Sequence, residues 1–451
     1  MNTHAADTIA RAAIARVHPS EMIPSAVSLT NDTLTISGGG TTVSEDLSAY
    51  RRIVVLGAGK AAAAMAQGLE QILGERIADG LIVTKYDHGL PLTRVRTIEA
   101  GHPVPDENSL RAGREISKLA ADLEADTLCL TVVSGGGSAL LTLPAEFENY
   151  AVTLEDVQAT TRLLLGAGAP IQAVNCVRRH LSGIAGGRFA QLVAPARTVA
   201  LVLSDVVGDQ LESIASGLVA PDPTTYADAL ETCRQWRILS ELPSAVKELL
   251  EAGERDELPD TPGPEDPVFA ALSPVLIGTN AAALEAAREQ AQELGYHPLV
   301  LTSQLTGEAR EIAKVFSAIA GDLVRGRGPL PRPACILAGG ETTVTLKGTG
   351  LGGRNQEMAL AVLREIADRP AAYAGVTFLS VGTDGTDGPT DAAGAYAAPE
   401  LLRQDPAGAP GAITDALERN DAYHLFQRVG GLYTTGPTNT NVCDIQVLLV
   451  E

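Results

Sequence analysis

Three aspartates lie among four glycines in the segment SVGTDGTDGPTDAAGAY, residues 380–396. Carboxylates bind hard cations or accept protons, and glycines let a backbone bend closely round a ligand. The spacing is not that of an EF-hand, because the twelfth position from Asp384 is Ala395. Mg²⁺ needs only one or two carboxylates beside phosphate oxygens and water. We predict Asp384 and Asp387 as metal ligands and Asp391, near a predicted helix start, as a turn-forming residue.

Several apolar runs of the chain end in a glycine-rich turn. In open α/β sheets, ligands bind at the carboxyl ends of strands, and glycine lets backbone N–H groups approach an anion. One such turn is an ordinary connection, but five of them predict a site for a polar, phosphate-bearing ligand. The turns are GAGK (57–60), SGGGS (134–138), GTN (278–280), AGGE (338–341) and GTDGTDG (382–388).

Lys60 lies inside the first of these turns, at the start of a predicted helix. The helix dipole repels cations there, so we interpret Lys60 as a partner for a phosphate or carboxylate. The pattern Gly57-x-Gly59-x-x-Ala62 approximates a dinucleotide fingerprint. That fingerprint also needs an acid at the end of the second strand, and Asp87 comes late. NAD binding is therefore poorly supported, and no P-loop occurs in the chain.

Other charged side chains follow comparable strands or lie on helices. Arg178, Arg179 and His180 share one helical pattern, in which His180 is expected to be a packed residue and one arginine to be solvated. Three further candidates stand where a predicted strand or glycine turn ends: Asp205, Glu341 and Arg354.

These residue types match the needs of phosphoryl transfer. That reaction requires cations near the transferred oxygens, a carboxylate-held metal, backbone donors for phosphates and an acceptor for the substrate's hydroxyl proton. Lys60, Arg354, Asp384, Asp387 and the glycine turns supply those types. Spacing alone does not select this chemistry over others.

The elements that must position these residues alternate between short apolar runs and longer helical patterns. This alternation predicts βαβ units and a largely parallel sheet covered on both faces. The proline- and acid-rich segment 251–267 is predicted as a linker. We therefore predict a Rossmann-like α/β domain over residues 1–250 and a mixed α/β domain over 268–451. Within the second, residues 335–350 are expected to form strand, turn and strand.

Composition limits the classes of function. The chain has 451 residues, which favours two domains, and a net charge of -21. So acidic a chain is not expected to bind nucleic acid or anionic membranes. No apolar stretch approaches the ~20 residues that span a bilayer, and the N-terminus lacks a secretory pattern. Five scattered cysteines favour buried, reduced thiols, so we expect a cytoplasmic protein.

Taken together, the motifs resemble the MOFRL-type glycerate 2-kinases, in the same order from about residue 7 to the C-terminus. The resemblance implies an ATP- and Mg²⁺-dependent kinase that phosphorylates the 2-hydroxyl of D-glycerate. It also implies two α/β domains with the active site in the cleft between them, and it leaves a homodimer open. The motifs are GAGKAA, VSGGGSALL, NCVRRHLSGIAGGR, LSDVVGD, ASGLVAPDPTTYADAL, AGGETTVTLKGTGLGGRNQE, GTDGTDGPTDAAGA and TTGPTNTNVCDIQVLL.

The resemblance also implies roles for single residues. Lys60 and Arg354 match cations of the family that bind substrate and phosphate. Asp205 is the candidate base, and Asp384 is both a catalytic and a metal candidate. Ala185 stands where the family's lysine is expected, and Asn439 where glycine is usual. Ser134, Gly135, Gly136 and Arg178 are assigned to the substrate, and Gly57, Gly59, Gly137, Ser138, Asn280, Gly340, Glu341, Thr383 and Asn441 to the nucleotide.

Three alternatives stay open at this point. An NAD(P)-dependent hydroxypyruvate reductase would use the GAGKAA turn for its dinucleotide. A kinase for a related, longer sugar acid would share the same site. A non-catalytic ligand-binding regulator would bind glycerate without turnover.

Overall fold

The computed structural model describes residues 2–403 and 408–451. The chain forms two compact units. The N-terminal unit comprises Met22–Ser204 and Asp209–Ile277. The C-terminal unit comprises Met1–Glu21, Asp205–Gly208 and Gly278–Glu451. Each unit has its own six-stranded sheet, so the predicted class of two α/β units is confirmed.

The large sheet of the N-terminal unit has the order β6-β5-β4-β7-β8-β9, and the pairs from β6 to β8 are parallel. Its three central strands, β4, β7 and β8, are buried almost along their whole length, as expected where helices cover both faces of a sheet. In the register of β4 with β7, Ala58 lies opposite Val133, so the turns that follow both strands leave the same edge. The strands are β4 (Arg52–Ala58), β5 (Ile77–Lys85), β6 (Arg96–Ala100), β7 (Thr127–Val133), β8 (Arg197–Leu203) and β9 (Leu272–Gly278).

A small antiparallel sheet precedes it and was not predicted. Its strands are β1 (Val27–Thr30), β2 (Thr33–Gly38) and β3 (Thr41–Asp46). The signal was present in the sequence, since Asn31-Asp32 and Gly39-Gly40 are two-residue turns between alternating runs.

The sheet of the C-terminal unit is mixed, with the order β10-β11-β15-β12-β13-β14. Among the described residues, β10 and β11 form its only parallel pair, and its other strand pairs are antiparallel. Asp444 on the central strand is paired with both Gly340 and Gly382, so the turns after β11 and β12 meet at the start of β15. The strands are β10 (His297–Leu305), β11 (Ala334–Gly340), β12 (Val376–Gly382), β13 (Gly394–Ala397), β14 (Leu432–Tyr433) and β15 (Asp444–Val450).

Helices pack on both sheets, and no described helix is long and apolar enough to cross a membrane. All five cysteines are buried and free, as predicted. The helices are α1 (Thr3–Val17), α2 (Pro19–Ala26), α3 (Ala62–Leu73), α4 (Glu107–Ala121), α5 (Gly137–Leu140), α6 (Leu154–Gly166), α7 (Ile171–His180), α8 (Arg188–Val193), α9 (Tyr226–Gln235), α10 (Ser244–Glu254), α11 (Asn280–Glu293), α12 (Ala309–Val324), α13 (Arg354–Asp368), α14 (Pro410–Glu418) and α15 (Ala422–Val429).

The units differ from the predicted boundaries in three places. Segment Asp205–Gly208 falls within the predicted N-terminal range but belongs to the C-terminal unit. Helix α1 belongs to the C-terminal unit, where the Tyr433 hydroxyl donates to Asp7. The predicted linker 251–267 lies inside the N-terminal unit. Its Asp260 and Thr261 form hydrogen bonds with the buried residues His180 and Asp222. Some polar residues of this segment therefore satisfy buried polar groups of the unit.

The predicted strand–turn–strand over residues 335–350 is half right. Strand β11 forms, but residues 341–353 are irregular apart from a bridge between Thr343 and Glu308. Asn420 helps to explain why no second strand forms. Its side-chain oxygen accepts hydrogen bonds from the backbone nitrogens of Lys347 and Gly348, which a strand would use for pairing.

Candidate active site

The two glycine turns of the N-terminal unit are built against each other. The Lys60 backbone nitrogen donates to the Gly135 carbonyl at 2.9 Å, and the Ala61 nitrogen donates to Ser134 Oγ at 3.0 Å. Gly59 has φ +138°, and a Cβ there would collide with Ser134. Gly59 therefore serves the contact between the turns, whereas a dinucleotide fingerprint would need it for pyrophosphate.

Lys60 and His102 flank Gly136, which has φ +82°. A Cβ on Gly136 would lie 2.8 Å from His102 Cδ2 and 3.3 Å from Lys60 Cε. Burial, together with the charges of Lys60 and Lys85, lowers the pKa of His102 to about 4. The imidazole is therefore neutral at pH 7, and the lysine is the cation beside this turn. His102 was missed by the sequence analysis.

Ser138 and Ser216 continue this site, with their hydroxyl oxygens 2.7 Å apart. Arg178 Nη2 donates to the Ser138 carbonyl at 3.1 Å. Ala215 and Ser216 both have positive φ, +48° and +56°. A Cβ on Gly137 would lie 2.7 Å from Ala215 Cβ, so glycine is needed there for close approach. Strained backbone of this kind clusters at functional sites.

Two cations of this region lack an acidic partner. Within residues 2–403 and 408–451, neither Lys60 nor Arg178 forms an ion pair with a carboxylate. Burial alone lowers the pKa of Arg178, with no neighbouring acid to offset it. In a chain of net charge -21 this arrangement is unusual. It suits an anionic ligand, which would supply the missing negative charge.

The other two candidates of the same helix are structural. Arg179 forms a buried ion pair with Asp222 at 2.6 Å. His180 Nδ1 lies 2.8 Å from the Cys176 carbonyl, its Nε2 lies 3.0 Å from Asp260, and its ring packs edge-on against Tyr226. The prediction that His180 is a packed residue is confirmed. Of the two arginines, one of which was expected to be solvated, Arg179 is 5% exposed and Arg178 is half-buried.

In the C-terminal unit, Arg354 is held by two acids. Its Nε and Nη2 donate to Asp444 at 2.6 and 2.9 Å, and its Nη1 lies 2.8 Å from Glu341. Burial opposes the charge of Arg354, but the bonds to Asp444 outweigh it and keep the pKa above its ordinary value. The sequence analysis did not identify Asp444 as a site residue. The available signal was its position as an acid directly before the apolar run IQVLLV.

Asp387 caps helix α13. Its Oδ1 accepts from the Asn355 backbone nitrogen at 3.0 Å, and its Oδ2 accepts from the Gln356 nitrogen at 2.8 Å. Burial raises the pKa of Asp387 to about 6. Since both oxygens are engaged by the helix, the geometry favours a cap over the predicted metal ligand.

Asp384 is more accessible than Asp387. Its Oδ1 accepts from the backbone and the hydroxyl of Thr386, at 3.0 and 3.1 Å. Asp391 accepts from the Tyr423 hydroxyl. Of the three aspartates of this loop, Asp384 is the one that suits a metal.

Several residues assigned to the nucleotide instead support the backbone that leads into Asp444. Asn280 Nδ2 donates to the carbonyls of Val442 and Asp444, at 2.8 and 2.9 Å. The Thr383 hydroxyl donates to the Cys443 carbonyl at 2.6 Å. The Asn441 side chain accepts from the Cys443 nitrogen. Gly340, with φ +144°, lies against the backbone of Leu305.

Acidic groups surround Cys443. Burial raises the pKa of its thiol, and the carboxylates of Glu341, Asp444 and Asp205 raise it further. The thiol donates to the Asp205 carbonyl at 3.1 Å. In the described part of the chain, no three His, Cys, Asp or Glu residues are arranged as a ready-made metal site. A metal bound here would need ligands from its substrate.

Both departures from the expected family pattern have a structural setting. Asn439 has φ +58°, a left-handed conformation that asparagine tolerates better than most residues, so it can replace glycine there. Ala185 is buried in a loop of the N-terminal unit. Its backbone nitrogen donates to Ser182 Oγ at 3.0 Å.

Comparison with known proteins identifies the family. Residues 334–444 match the MOFRL family, and residues 5–251 match a domain of unknown function, DUF4147. Glycerate 2-kinase from Pyrococcus horikoshii is 36% identical over 442 residues, covering 97% of this chain and 95% of the relative. The chain belongs to the MOFRL-type glycerate 2-kinase family.

Other relatives of this chain carry two different names. The crystal structure of glycerate kinase from Thermotoga maritima superimposes with a TM-score of 0.86 at 37% identity, covering 99% of each chain. A putative hydroxypyruvate reductase from Agrobacterium vitis is 41% identical over 88% of this chain and 99% of its own length. The second name matches one alternative left open by the sequence.

Proposed function

We propose that this chain is a glycerate kinase that transfers the γ-phosphoryl group of ATP to the 2-hydroxyl of D-glycerate. The observation that carries the proposal is the pair of unneutralised cations, Lys60 and Arg178, beside the turn 134–138. Both reactants are anions, and an acidic chain needs local positive charge to bind them. The family membership supports the same reaction.

In this reaction, the bond between the γ-phosphorus and the β,γ-bridging oxygen breaks. A bond forms between that phosphorus and O2 of glycerate, and the hydroxyl proton leaves to a base. Lys60 offsets negative charge on the transferred group, and Arg178 binds a phosphate or the glycerate carboxylate. Asp205 is our candidate for the base. That the active site lies in a cleft between the two units stays a prediction.

Arg354 acts with less freedom than the sequence suggested. Asp444 and Glu341 neutralise its charge and hold its side chain in place. We therefore propose that Arg354 donates hydrogen bonds to a ligand in a fixed direction. The remaining guanidinium hydrogens are available to an oxyanion, and the side chain is partly exposed.

The donor set fits Mg²⁺ in part. The carboxylates of Asp384 and Glu341 are hard ligands that are accessible, whereas those of Asp387 bond to α13. Asp384 would hold the metal, with Glu341 as a second ligand. Bound Mg²⁺ would neutralise charge on the β- and γ-phosphates.

The decisive assay measures ADP release with ATP, Mg²⁺ and D-glycerate, with the position of the product phosphate read by NMR. Phosphate on carbon 2 supports the proposal. NADH oxidation with hydroxypyruvate, and no ADP release, would support the reductase instead. Turnover of longer sugar acids in preference to glycerate would revise the substrate but keep the reaction.

A further inference from the structure

A cavity of about 250 Å³ lies within the N-terminal unit, beside the glycine turn 134–138. Helices α6 and α7, the loop 103–105 and the segment 215–218 form its walls. Most of the lining is aliphatic, as at Leu141, Leu143, Val157, Leu181, Ile184 and Leu218. The polar side chains of the lining are those of Ser138, Thr142, Gln158, Thr161, Arg162, Arg178, Ser182 and Ser216.

The chemistry of these walls does not suit glycerate. Glycerate carries hydroxyl or carboxylate oxygens on all sides. The arginines and hydroxyl groups of the walls can pair with only some of these oxygens, and the aliphatic side chains would desolvate the others. An apolar cavity with a few convergent polar groups is typical of a small-molecule site. Its volume is below the roughly 300–1,000 Å³ of pockets that enclose drug-sized ligands, so it accepts a ring system and not a whole nucleotide.

The cavity also connects to the unneutralised cations. Arg178 contributes to its wall and bonds to the Ser138 carbonyl, and Ser138 is only two residues from Gly136, which lies against Lys60. Two residues span about 7 Å at most. A chain of phosphates that begins at the cavity can therefore pass Arg178 and reach Lys60.

We propose that this cavity binds the purine base of the phosphoryl donor, with its phosphates extending along residues 138–136 towards Lys60. The inference rests on the proposed kinase function, because the nucleotide is the reactant that carries a flat, weakly polar ring. It assigns Arg178 to the nucleotide phosphates in preference to glycerate. It also makes the rim of the cavity a determinant of nucleotide affinity.

Two variants close the cavity from different sides. Leu165→Trp places a large ring at the rim, where Leu165 is 58% exposed, so folding is little disturbed. Thr161→Phe fills the interior from the same helix. The matched control is Ile171→Trp, because Ile171 is 56% exposed on the next helix and does not line the cavity.

We expect each cavity variant to raise the KM for ATP about tenfold or more, with the KM for glycerate changed less than about twofold. The control should change neither constant. Isothermal titration with ADP and with adenosine, in the absence of glycerate, should show the same loss of binding in both variants. An unchanged KM for ATP and unchanged adenosine binding in both variants would overturn the proposal.

The titration separates this proposal from the proposed reaction. If wild-type protein binds ADP and adenosine, and Leu165→Trp abolishes both, the base site is supported even without turnover of glycerate. If glycerate is phosphorylated but adenosine binds equally to all four proteins, the reaction is supported and the cavity is not the base site.

Discussion

Arg354 and Asp444 form a two-pronged ion pair, in which the arginine is the first residue of α13 and the aspartate is the first residue of β15. The carboxylate is fully buried and the guanidinium is partly exposed. The pair therefore fixes the direction in which the remaining N–H groups of Arg354 point. Asp444 is a positioning residue, since it acts through Arg354.

Asp444→Asn should lower kcat/KM by about 10²–10³, because an amide cannot accept both N–H groups of Arg354. Steady-state kinetics with ATP and glycerate, well below the melting temperature, test this. A misplaced arginine should affect kcat and the KM for one reactant unequally, whereas partial unfolding would only reduce the active fraction. Asp391→Asn, an accessible acid of the same unit, is the control. Near-native kinetics in Asp444→Asn would refute the positioning role.

Lys60→Ala should reduce kcat by about 10²–10³ while the protein remains folded. Lys60 forms no ion pair with a carboxylate in the described part of the chain. Its removal therefore leaves no buried carboxylate without a partner, and we expect little loss of stability. Lys60→Arg should recover part of the rate because the charge returns with a different shape. The exposed Lys118 supplies a control as Lys118→Ala. Rapid turnover by Lys60→Ala would remove this lysine from the mechanism.

Asp387→Ala should lower the free energy of unfolding by about 2–3 kcal/mol, because two buried N–H groups at the start of α13 lose their acceptor. Urea unfolding followed by circular dichroism measures the change. Asp391→Ala should cost far less, since its bond to Tyr423 is exposed. Equal effects of the two substitutions would contradict the capping role.

Asp384→Asn should raise the Mg²⁺ concentration needed for half-maximal activity by about tenfold, while stability changes little. The half-buried carboxylate of Asp384 bonds within the chain only to Thr386 among the described residues. Titration of activity with Mg²⁺ at saturating ATP measures the shift. An unshifted Mg²⁺ dependence would place the metal on other acids.

His102 provides a test by pH. Its pKa is about 4 in the folded chain against 6.5 as the ordinary value, so the unfolded chain binds more protons between these limits. The free energy of unfolding of the wild type, relative to His102→Gln, should therefore fall as the pH decreases from about 6.5 to about 4. Above pH 6.5 the difference should be constant.

The measurement for His102 is denaturant unfolding at four or five pH values in this window. His4→Gln is the control, because His4 is exposed on α1. A difference that stays flat or grows on acidification would mean that His102 is not desolvated beside Lys60 and Lys85.

Periodicity in the sequence was sufficient to predict much of the fold. Apolar runs such as residues 52–57 and 376–382 are buried strands, and the glycine turns after them lie where the alternation placed them. Lys60 was proposed as a ligand-binding residue from its type and position, and Arg178 from its place in a family motif. Such features are local, because the period of two or 3.6 residues and the need for glycine in tight turns are properties of short segments.

Partners distant in sequence were decided only by the tertiary structure. Asp444 lies 90 residues from Arg354, and the register of β11, β12 and β15 brings the pair together. Likewise Asp387 looked like a metal ligand until its oxygens were found on the amides of α13.

The sequence by itself therefore determined the two α/β units, the family and the types of charge available for catalysis. Only the tertiary structure decided which charges are neutralised by acids, as in Arg354, and which have no acidic partner among the described residues, as in Lys60 and Arg178. The physical reason is that electrostatic and hydrogen-bond energies depend on distance and burial in three dimensions, and the spacing of residues along the chain specifies neither.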